Sequence, residues 1–252
     1  MEPAQGLEIG YLADLPAWSG LGSSSSFVVG LLNSLSALQG KMTRKHELAL
    51  EAIRVEQSVM NEAVGSQDQT WAAYGGMNRI DFHEDGTLKV SPLILDPEVK
   101  RQLGDSLMLF FTGFSRDGPA VAGKQIAGIE RAEIDMSYNQ ACVDQAMSIL
   151  TSGNNPVAEF GRLMHESWMK KRSLTSGIST DVVDDIYSAA MDAGALGGKL
   201  LGAGGGGFIL FVVEPDRQDE VRERLQDLIH VQFEFDTEGS KIAVYEPSNF
   251  GF

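Results

Sequence analysis

The first strong pattern of apolar positions along the chain has the period of an α-helix. It consists of four apolar residues at helical spacing, Phe27, Leu31, Leu32 and Leu35. The segment before it, LEIGYLADLP at residues 7–16, is predicted to form a strand that ends at Pro16. Between the two lies the loop SGLGSSSS at residues 19–26. The pattern therefore predicts a strand, a loop rich in glycine and serine, and a helix.

Further helices and strands follow along the first half of the chain. Residues 43–65 are predicted to form a second helix, because apolar residues recur there with the helical period. Residues 65–82, GSQDQTWAAYGGMNRIDF, begin with turn-like polar residues and end in a predicted strand. Residues 87–95 and 105–113 are further strand candidates, and the second is a continuous apolar run suited to a buried strand.

The second half is predicted to be mostly helical from residue 121 to about residue 188, with breaks at TSGNNP and SLTSGIST. Residues 197–213 have the pattern strand, loop, strand. Three more elements are predicted near the end: a helix over 217–229 and strands over 231–235 and 241–246. Because strands come in blocks with helices between them, we expect an α+β fold with two subdomains that meet near residues 115–155.

The composition excludes several classes of function. The chain has 252 residues, 43% of them hydrophobic, and a formal net charge of −15. A general nucleic-acid binder or a protein of anionic membrane surfaces needs a basic surface, so neither is expected. Cys142 is the single cysteine, and no apolar run is long enough to span a membrane. We therefore expect a cytoplasmic protein whose phosphorylated ligands meet a local cluster of cations or a metal.

The loop rich in glycine and serine has the chemistry of an anion site. Gly20 and Gly22 permit positive φ angles, and the serines at 23–26 lie where a helix exposes unpaired N–H groups. A helix N-terminus of this kind can bind phosphate. No lysine follows the glycines, so the loop does not match the Walker A pattern, and a metal and the helix terminus would have to offset the charge of a nucleotide. A serine N-cap with a tight turn is the structural alternative.

A second glycine-rich segment lies near the end of the chain. Gly202, Gly204 and Gly207 match the G-x-G-x-x-G spacing of a dinucleotide-binding turn. That turn must open a helix, whereas FILFVV, which follows here, is a strong strand signal. We therefore expect a hairpin-like glycine connection that lets other groups approach closely, with a purely structural turn as the alternative.

Two carboxylates could converge on one site from different elements. Glu56 lies on the second predicted helix, and Asp68 follows the break at Gly65. Phosphoryl transfer to a hydroxyl needs such a division of labour, with one carboxylate to hold Mg²⁺ and another to accept or orient the hydroxyl proton. The alternative is that both are solvated acids, and Glu51 and Glu62 on the same segment are further candidates.

Three segments together resemble the GHMP small-molecule kinases, and within them the D-glycero-D-manno-heptose 7-phosphate kinases. DLPAWSGLGSSSSFVVGLL resembles the ATP-phosphate loop, and VGSQDQTWAAYGGMNRIDF the segment with the catalytic acid. GGKLLGAGGGGFILF resembles the C-terminal glycine motif, and the three segments are in family order. LFFTGFSRD and WMKKRSLTSGIST also resemble the heptose kinase subgroup, so the likeness covers nearly the whole chain.

The resemblance implies specific roles for residues of this chain. ATP would bind through two loops, formed by Gly20, Leu21, Gly22, Ser23, Ser24, Ser25, Gly202, Ala203, Gly204, Gly205 and Gly206. Ser24 and Glu56 would bind Mg²⁺, and Asp68 would act on the acceptor hydroxyl. The cations for a sugar phosphate would be Arg116, Lys171 and Arg172, although a basic residue on an acidic protein is more often a surface partner.

The reaction implied by the resemblance is transfer of the ATP γ-phosphoryl group to the anomeric hydroxyl of heptose 7-phosphate, which gives the 1,7-bisphosphate. Another GHMP sugar kinase, of the fucokinase or galactokinase type, is one alternative. A truncated nucleotide-binding remnant without catalysis is the other. The family carries a substantial segment before the phosphate loop, whereas here the loop begins by residue 20, and Trp18 stands where heptose kinases tend to have a basic residue.

The resemblance also implies an architecture. The N-terminal part, residues 1–115, would be an incomplete ribosomal S5 domain 2-like unit that carries the ATP-phosphate loop. The C-terminal part, residues 116–252, would be ferredoxin-like. Loss of early strands would expose a sheet edge that favours pairing with a second chain, so a homodimer is among the expected assemblies.

Overall fold

The computed structural model describes residues 6–15, 20–114, 123, 127, 137–152, 154–173 and 177–246. Within them the α-helices are α1 (Ser23–Leu38), α2 (Lys45–Arg54), α3 (Gln67–Tyr74), α4 (Pro97–Asp105), α5 (Ser137–Ser152), α6 (Pro156–Arg172), α7 (Asp181–Asp192) and α8 (Gln218–Arg224). The strands are β1 (Asn78–Phe82), β2 (Leu88–Pro92), β3 (Leu107–Phe111), β4 (Gly197–Leu200), β5 (Phe208–Val212) and β6 (Ile229–Val231). A π-helical turn, Val55–Val59, continues α2, and a 3₁₀ turn, Pro215–Arg217, precedes α8.

The first three helices enclose a small apolar core. Its buried residues are Val28, Val29, Leu48, Ala49, Ala52 and Ala73. Half of them are alanines, and short side chains let helices approach closely. The packing brings the start of α1, the end of α2 and the start of α3 together at one end of this layer.

The larger sheet has the strand order β4-β5-β3-β6, and each neighbouring pair is antiparallel. In its centre Leu109 lies opposite Leu210, and Phe110 lies opposite Ile209. Helix α6 covers one face through an apolar cluster that includes Leu210 and Val212. The cluster on the other face contains residues of α7 and α8, and also Trp168 from the last part of α6, which therefore contributes to both clusters. Because helices cover both faces, β3 and β5 are almost continuously apolar instead of alternating.

The elements and the sheet confirm the α+β class, and most of the predicted elements are present. β1 and β2 form a separate antiparallel hairpin. The breaks predicted after residue 151 and near residue 173 separate α5, α6 and α7. The proposed boundary at residue 115 lies in a stretch outside the described residues, and it stays a prediction.

Four local predictions were wrong. Residues 6–15, which include most of the first predicted strand, form no strand, because no segment of the described chain pairs with them. Residues 241–246 likewise form no strand, and the strand predicted over 231–235 is replaced by β6, which ends at Val231. The polar stretch after Gly65, expected to be turn-like, is the helix α3. In the part of the chain that the structure describes, no helix has both the length and the apolar character of a membrane span.

Candidate active site

The backbone at the start of α1 is suited to anion binding. Gly20 has φ +81° and Gly22, the N-cap of the helix, has φ +66°. The first intrahelical hydrogen bond is donated by the N–H of Ser26 to the carbonyl of Gly22 at 2.9 Å. The N–H groups of residues 23–25 therefore have no acceptor within the helix. These donors and the positive end of the helix dipole face the same side, where a phosphate can bind.

The serine hydroxyls of this loop bind a buried carboxylate instead of capping the helix. Ser24 Oγ donates to Glu56 Oε1 at 3.0 Å, and Ser25 Oγ donates to Glu56 Oε2 at 2.8 Å. Gln69 Nε2 donates a third, short hydrogen bond to Glu56 Oε2. Since the N-cap is Gly22, the alternative of a serine N-cap is wrong.

Glu56 is a buried carboxylate, and its side-chain partners among the described residues, Ser24, Ser25 and Gln69, are neutral. It lies on the π-helical turn at the end of α2 and is 1% exposed. Among the described residues, no lysine, arginine or histidine forms an ion pair with it. A buried charge without a counterion is costly, and Mg²⁺ is typically bound by one or two carboxylates plus substrate phosphates. Ser24 retains lone pairs after donating, so Ser24 and Glu56 fit a magnesium ion.

Asp68 lies against the phosphate loop. A Cβ built on Gly22 would lie 3.1 Å from Cβ, Cγ and Oδ2 of Asp68, which is in the first turn of α3. The Asp68 side chain is open to solvent on one side. Burial by the protein atoms on its other sides raises the pKa of its carboxyl, and the negative charge of Glu56 raises it further. A carboxyl group with a raised pKa beside a second carboxylate is suited to accept a proton.

The glycine-rich segment near residue 202 contacts the phosphate loop. Gly202 has φ +68°, and a Cβ built on it would lie 2.8 Å from Cα of Gly20. Conversely, a Cβ on Gly20 would lie 2.9 Å from the carbonyl oxygen of Leu201. The segment connects the antiparallel strands β4 and β5. The expected hairpin-like connection is confirmed and the dinucleotide turn is excluded, because no helix follows these glycines.

Hydrogen bonds from both sides hold this glycine-rich segment in place. The N–H of Gly205 donates to the carbonyl of Ile178 at 2.9 Å, and the N–H of Gly207 donates to the carbonyl of Phe114 at 2.9 Å. Thr112 Oγ1 also donates to the carbonyl of Gly207 at 2.9 Å. The loop that contacts the phosphate loop is therefore anchored to the sheet and to the connection before α7.

The two neighbouring cations at the end of α6, Lys171 and Arg172, have different partners. Lys171 Nζ donates to the carbonyl of Gly202 at 2.8 Å, so it lies at the candidate site. Arg172 forms an ion pair of 3.1 Å with Asp184, which also accepts a hydrogen bond of 2.6 Å from Ser179. Arg172 is thus engaged in an ion pair with α7, whereas Lys171 bonds directly to the glycine-rich segment. The third predicted cation, Arg116, lies outside the described residues.

Burial lowers the pKa of Lys171 to about 8, and the neighbouring charge of Lys199 contributes to the shift. Lys199 and Gln69 were not predicted from the sequence. Each stands next to a predicted feature, since Gln69 follows Asp68 and Lys199 lies three residues before Gly202. Glu51, one of the two further candidate acids, forms a surface ion pair with Arg54 at 2.7 Å.

Two models of one protein family match the N-terminal and the C-terminal part of the chain. The family model described as the GHMP kinases N terminal domain matches residues 1–76. The model described as GHMP kinases C terminal matches residues 152–230. Together they match more than half of the chain, and each includes one of the two glycine-rich loops.

Individual relatives agree with these matches. The chain is 29% identical over 234 residues to a D-glycero-alpha-D-manno-heptose 7-phosphate kinase of Campylobacter jejuni. It is 28% identical over 230 residues to an L-fucokinase/L-fucose-1-P guanylyltransferase of Bacteroides fragilis. Its fold is similar to the crystal structure of a D-glycero-D-manno-heptose 1-phosphate kinase from Bacteroides thetaiotaomicron, with a TM-score of 0.63 and 29% identity.

The matches cover most of this chain but only part of each relative. They include 91% of the chain and 68% of the Campylobacter kinase. They include 87% of the chain and 23% of the Bacteroides fragilis protein. The structural match covers 92% of the chain and 66% of the solved kinase. The chain thus spans about two thirds of the length of the heptose kinase relatives.

Proposed function

Because this chain belongs to the GHMP kinase family, we propose that it is a sugar kinase that transfers the γ-phosphoryl group of ATP to heptose 7-phosphate. Kinases of this family are ATP-dependent phosphotransferases. The observation that carries the proposal is the convergence of three groups at the start of α1. They are the N-terminal N–H groups of the helix, the Glu56 carboxylate bound to Ser24 and Ser25, and the Asp68 carboxyl against Gly22.

The phosphates of ATP would bind at the N-terminus of α1. The N–H groups of residues 23–25 would donate to the β- and γ-phosphate oxygens, and the helix dipole would stabilise their charge. Ser24 and Glu56 would hold Mg²⁺, which supplies charge neutralisation to the phosphates when bound. Gly202 braces the phosphate loop from the other side, through its contact with Gly20.

Asp68 is the proposed general base. Its carboxylate would accept the proton of the acceptor hydroxyl as the hydroxyl oxygen forms its bond to the γ-phosphorus. The bond from the γ-phosphorus to the bridging oxygen then breaks, and ADP leaves with that electron pair. The raised pKa of Asp68 suits this role, because a carboxylate with a higher pKa is a stronger base.

The proposed acceptor is heptose 7-phosphate at its anomeric hydroxyl, with the 1,7-bisphosphate as the product. The support is the similarity to two heptose phosphate kinases, at 29% identity each. Lys171 at the glycine loop is a cation that could meet the 7-phosphate. A fucokinase activity is the second candidate, because the Bacteroides fragilis relative is 28% identical over a similar length of this chain. Use of Mg²⁺, a cytoplasmic location and a homodimer remain predictions.

The acceptor is tested by steady-state kinetics with heptose 7-phosphate, the unphosphorylated heptose, fucose and galactose. We expect the highest kcat/KM with heptose 7-phosphate. Lys171→Met should raise KM for the sugar phosphate and leave KM for a neutral sugar nearly unchanged. The matched control is Lys89→Met, because Lys89 is an exposed lysine on β2, outside the site. A preference for fucose, with no effect of Lys171→Met, would contradict the heptose proposal and favour the second candidate.

A further inference from the structure

Lys199 lies on the same side of the sheet as the end of α6. It is on β4, opposite Leu210 of β5, and Leu210 belongs to the apolar cluster beneath α6. Gly197, two positions earlier on the same face, is so close to α6 that an added Cβ would overlap the carbonyl of Gly161. Lys199 therefore lies on the face of the sheet where Leu210 packs beneath α6, three residues before Gly202.

Lys171 reaches the same place from the last turn of α6. Its Nζ donates to the carbonyl of Gly202 at 2.8 Å, and its charge and that of Lys199 interact. Gly202 in turn contacts Gly20 of the phosphate loop. The two ammonium groups thus lie next to Gly202, the residue whose backbone contacts Gly20 of the proposed ATP-phosphate loop.

No carboxylate of the described chain is paired with either lysine. Among the described residues, the Lys171 ammonium bonds only to a carbonyl oxygen, and the Lys199 ammonium has neither a hydrogen bond nor an ion pair, although the backbone of Lys199 pairs with β5. Asp184 on α7 is already bound to Arg172 and Ser179. Elsewhere in the described chain arginines such as Arg79 and Arg101 are paired with carboxylates, as expected for a protein with a net charge of −15.

Two neighbouring ammonium groups in a half-buried position repel each other and lose hydration. Burial also lowers the pKa of Lys199. An anionic ligand would relieve both costs, since it supplies the missing counter-charge and hydrogen-bond acceptors. Sites of this kind, with charges left unpaired by the protein itself, are typical of ligand-binding positions.

We propose that Lys171 and Lys199 together form a binding site for a phosphoryl group of a substrate, beside the glycine loop at residues 202–206. The inference rests on the proposed kinase function and adds Lys199 to its site. ATP and a phosphorylated acceptor both carry a phosphate dianion, and either one could bind to the two lysines.

The test is equilibrium binding by isothermal titration calorimetry, which needs no turnover. Lys199→Met, Lys171→Met and the double variant are titrated with Mg-ATP, with heptose 7-phosphate and with the unphosphorylated heptose. We expect at least one phosphorylated ligand to bind about tenfold or more weakly to each single variant, because a charge-assisted hydrogen bond is lost. Affinity for the unphosphorylated heptose should not change, and Lys89→Met should bind all three ligands as the unaltered protein does.

The pattern of losses identifies the source of the phosphoryl group. Weaker binding of Mg-ATP assigns the lysine pair to the nucleotide, and weaker binding of heptose 7-phosphate assigns it to the acceptor. Unchanged affinity of both phosphorylated ligands in the double variant would overturn the proposal. If binding is lost as predicted but no acceptor is phosphorylated, the kinase function fails while the phosphoryl site stands.

A second measurement uses the unaltered protein and so does not depend on the folding of a variant. Acetylation of lysines by acetic anhydride is followed by mass spectrometry with and without Mg-ATP or heptose 7-phosphate. We expect one of these ligands to slow the modification of Lys171 and Lys199 several-fold and to leave Lys89 unaffected. Equal rates at all three lysines with either ligand would also overturn the proposal.

Discussion

At the scale of single residues, Asp68 combines a cost in stability with a role in the proposed reaction. Burial and the charge of Glu56 raise the pKa of its carboxyl in the folded protein. The folded state therefore binds a proton more tightly than the unfolded state does. At a pH where Asp68 is protonated in both the folded and the unfolded protein, it does not change the free energy of unfolding. As the pH rises through the raised pKa, ionisation of Asp68 lowers the free energy of unfolding.

Asp68→Asn should accordingly stabilise the protein while removing its activity. We expect kcat to fall by about 10²–10⁴-fold, the usual contribution of a general base, with Kd for ATP nearly unchanged. The Tm should be higher than that of the unaltered protein at pH 7, and the difference should disappear as the pH falls below the ordinary carboxyl range. Calorimetry at several pH values measures this, and a variant less stable at pH 7 would contradict the raised pKa.

Gly22 combines a left-handed backbone conformation with a close contact to the proposed base, Asp68. Its φ of +66° disfavours any side chain, and an added Cβ would lie 3.1 Å from the Asp68 carboxyl group. Gly22→Ala should cost about 1–2 kcal/mol of unfolding free energy from the left-handed conformation. It should also lower kcat by displacing Asp68.

The matched control lies two turns later in the same helix. Gly30 has no atom within 4 Å of an added Cβ, so Gly30→Ala should stabilise α1 by about 0.5–1 kcal/mol without changing kcat. Urea unfolding and steady-state kinetics measure both effects. If the two alanine variants have the same activity, Gly22 does not position Asp68.

At the scale of elements, the two glycine-rich loops act as one unit. Gly202→Ala should weaken ATP binding, because its added Cβ would lie 2.8 Å from Cα of Gly20 and displace the phosphate loop. Gly86→Ala is the control, since Gly86 has φ +81° but no atom within 4 Å of an added Cβ. Gly86→Ala should lose about 1–2 kcal/mol of stability from its left-handed conformation, Gly202→Ala should lose at least as much, and only Gly202→Ala should raise Kd for ATP. Equal Kd values in a titration would show that the contact between the loops does not support ATP binding.

Elements with strong apolar patterns could be predicted from the sequence. The helical spacing from Phe27 predicts α1, and the apolar runs at 107–111 and 208–212 predict β3 and β5. The predicted strands in 7–16 and 241–246 have suitable residues but no partner strand in the described chain. Strand formation depends on a partner, which a local pattern does not contain.

The part of the candidate site that depends on local backbone properties could be predicted from the sequence. Glycines and serines at 20–26 indicate a phosphate loop from their own backbone properties. The bonds of Glu56 to Ser24, Ser25 and Gln69 depend on the π-helical turn and on the packing of three helices. Lys199 was missed because the local sequence does not show that β4 lies beside the end of α6, where Lys199 and Lys171 become neighbours. The role predicted for Arg172 stays a prediction.

At the scale of the whole molecule, the contacts between the two loops bring together residues from opposite ends of the chain. Ser24, Glu56 and Asp68 come from its first third, whereas Gly202, Lys171 and Lys199 come from its last third. The net charge of −15 makes local cations necessary for any phosphorylated ligand, and the lysine pair is placed to supply them. The chain contains these parts although it spans only about two thirds of the heptose kinase relatives.

The most direct test of the kinase proposal is ADP release when this chain is mixed with Mg-ATP and heptose 7-phosphate. Asp68→Asn is the matched control, and ATP binding is measured on both proteins to show that they are folded. We expect ADP release that requires both the heptose phosphate and Asp68. The kinase proposal would be contradicted if a folded, ATP-binding sample released no ADP, or if Asp68→Asn released it at the same rate.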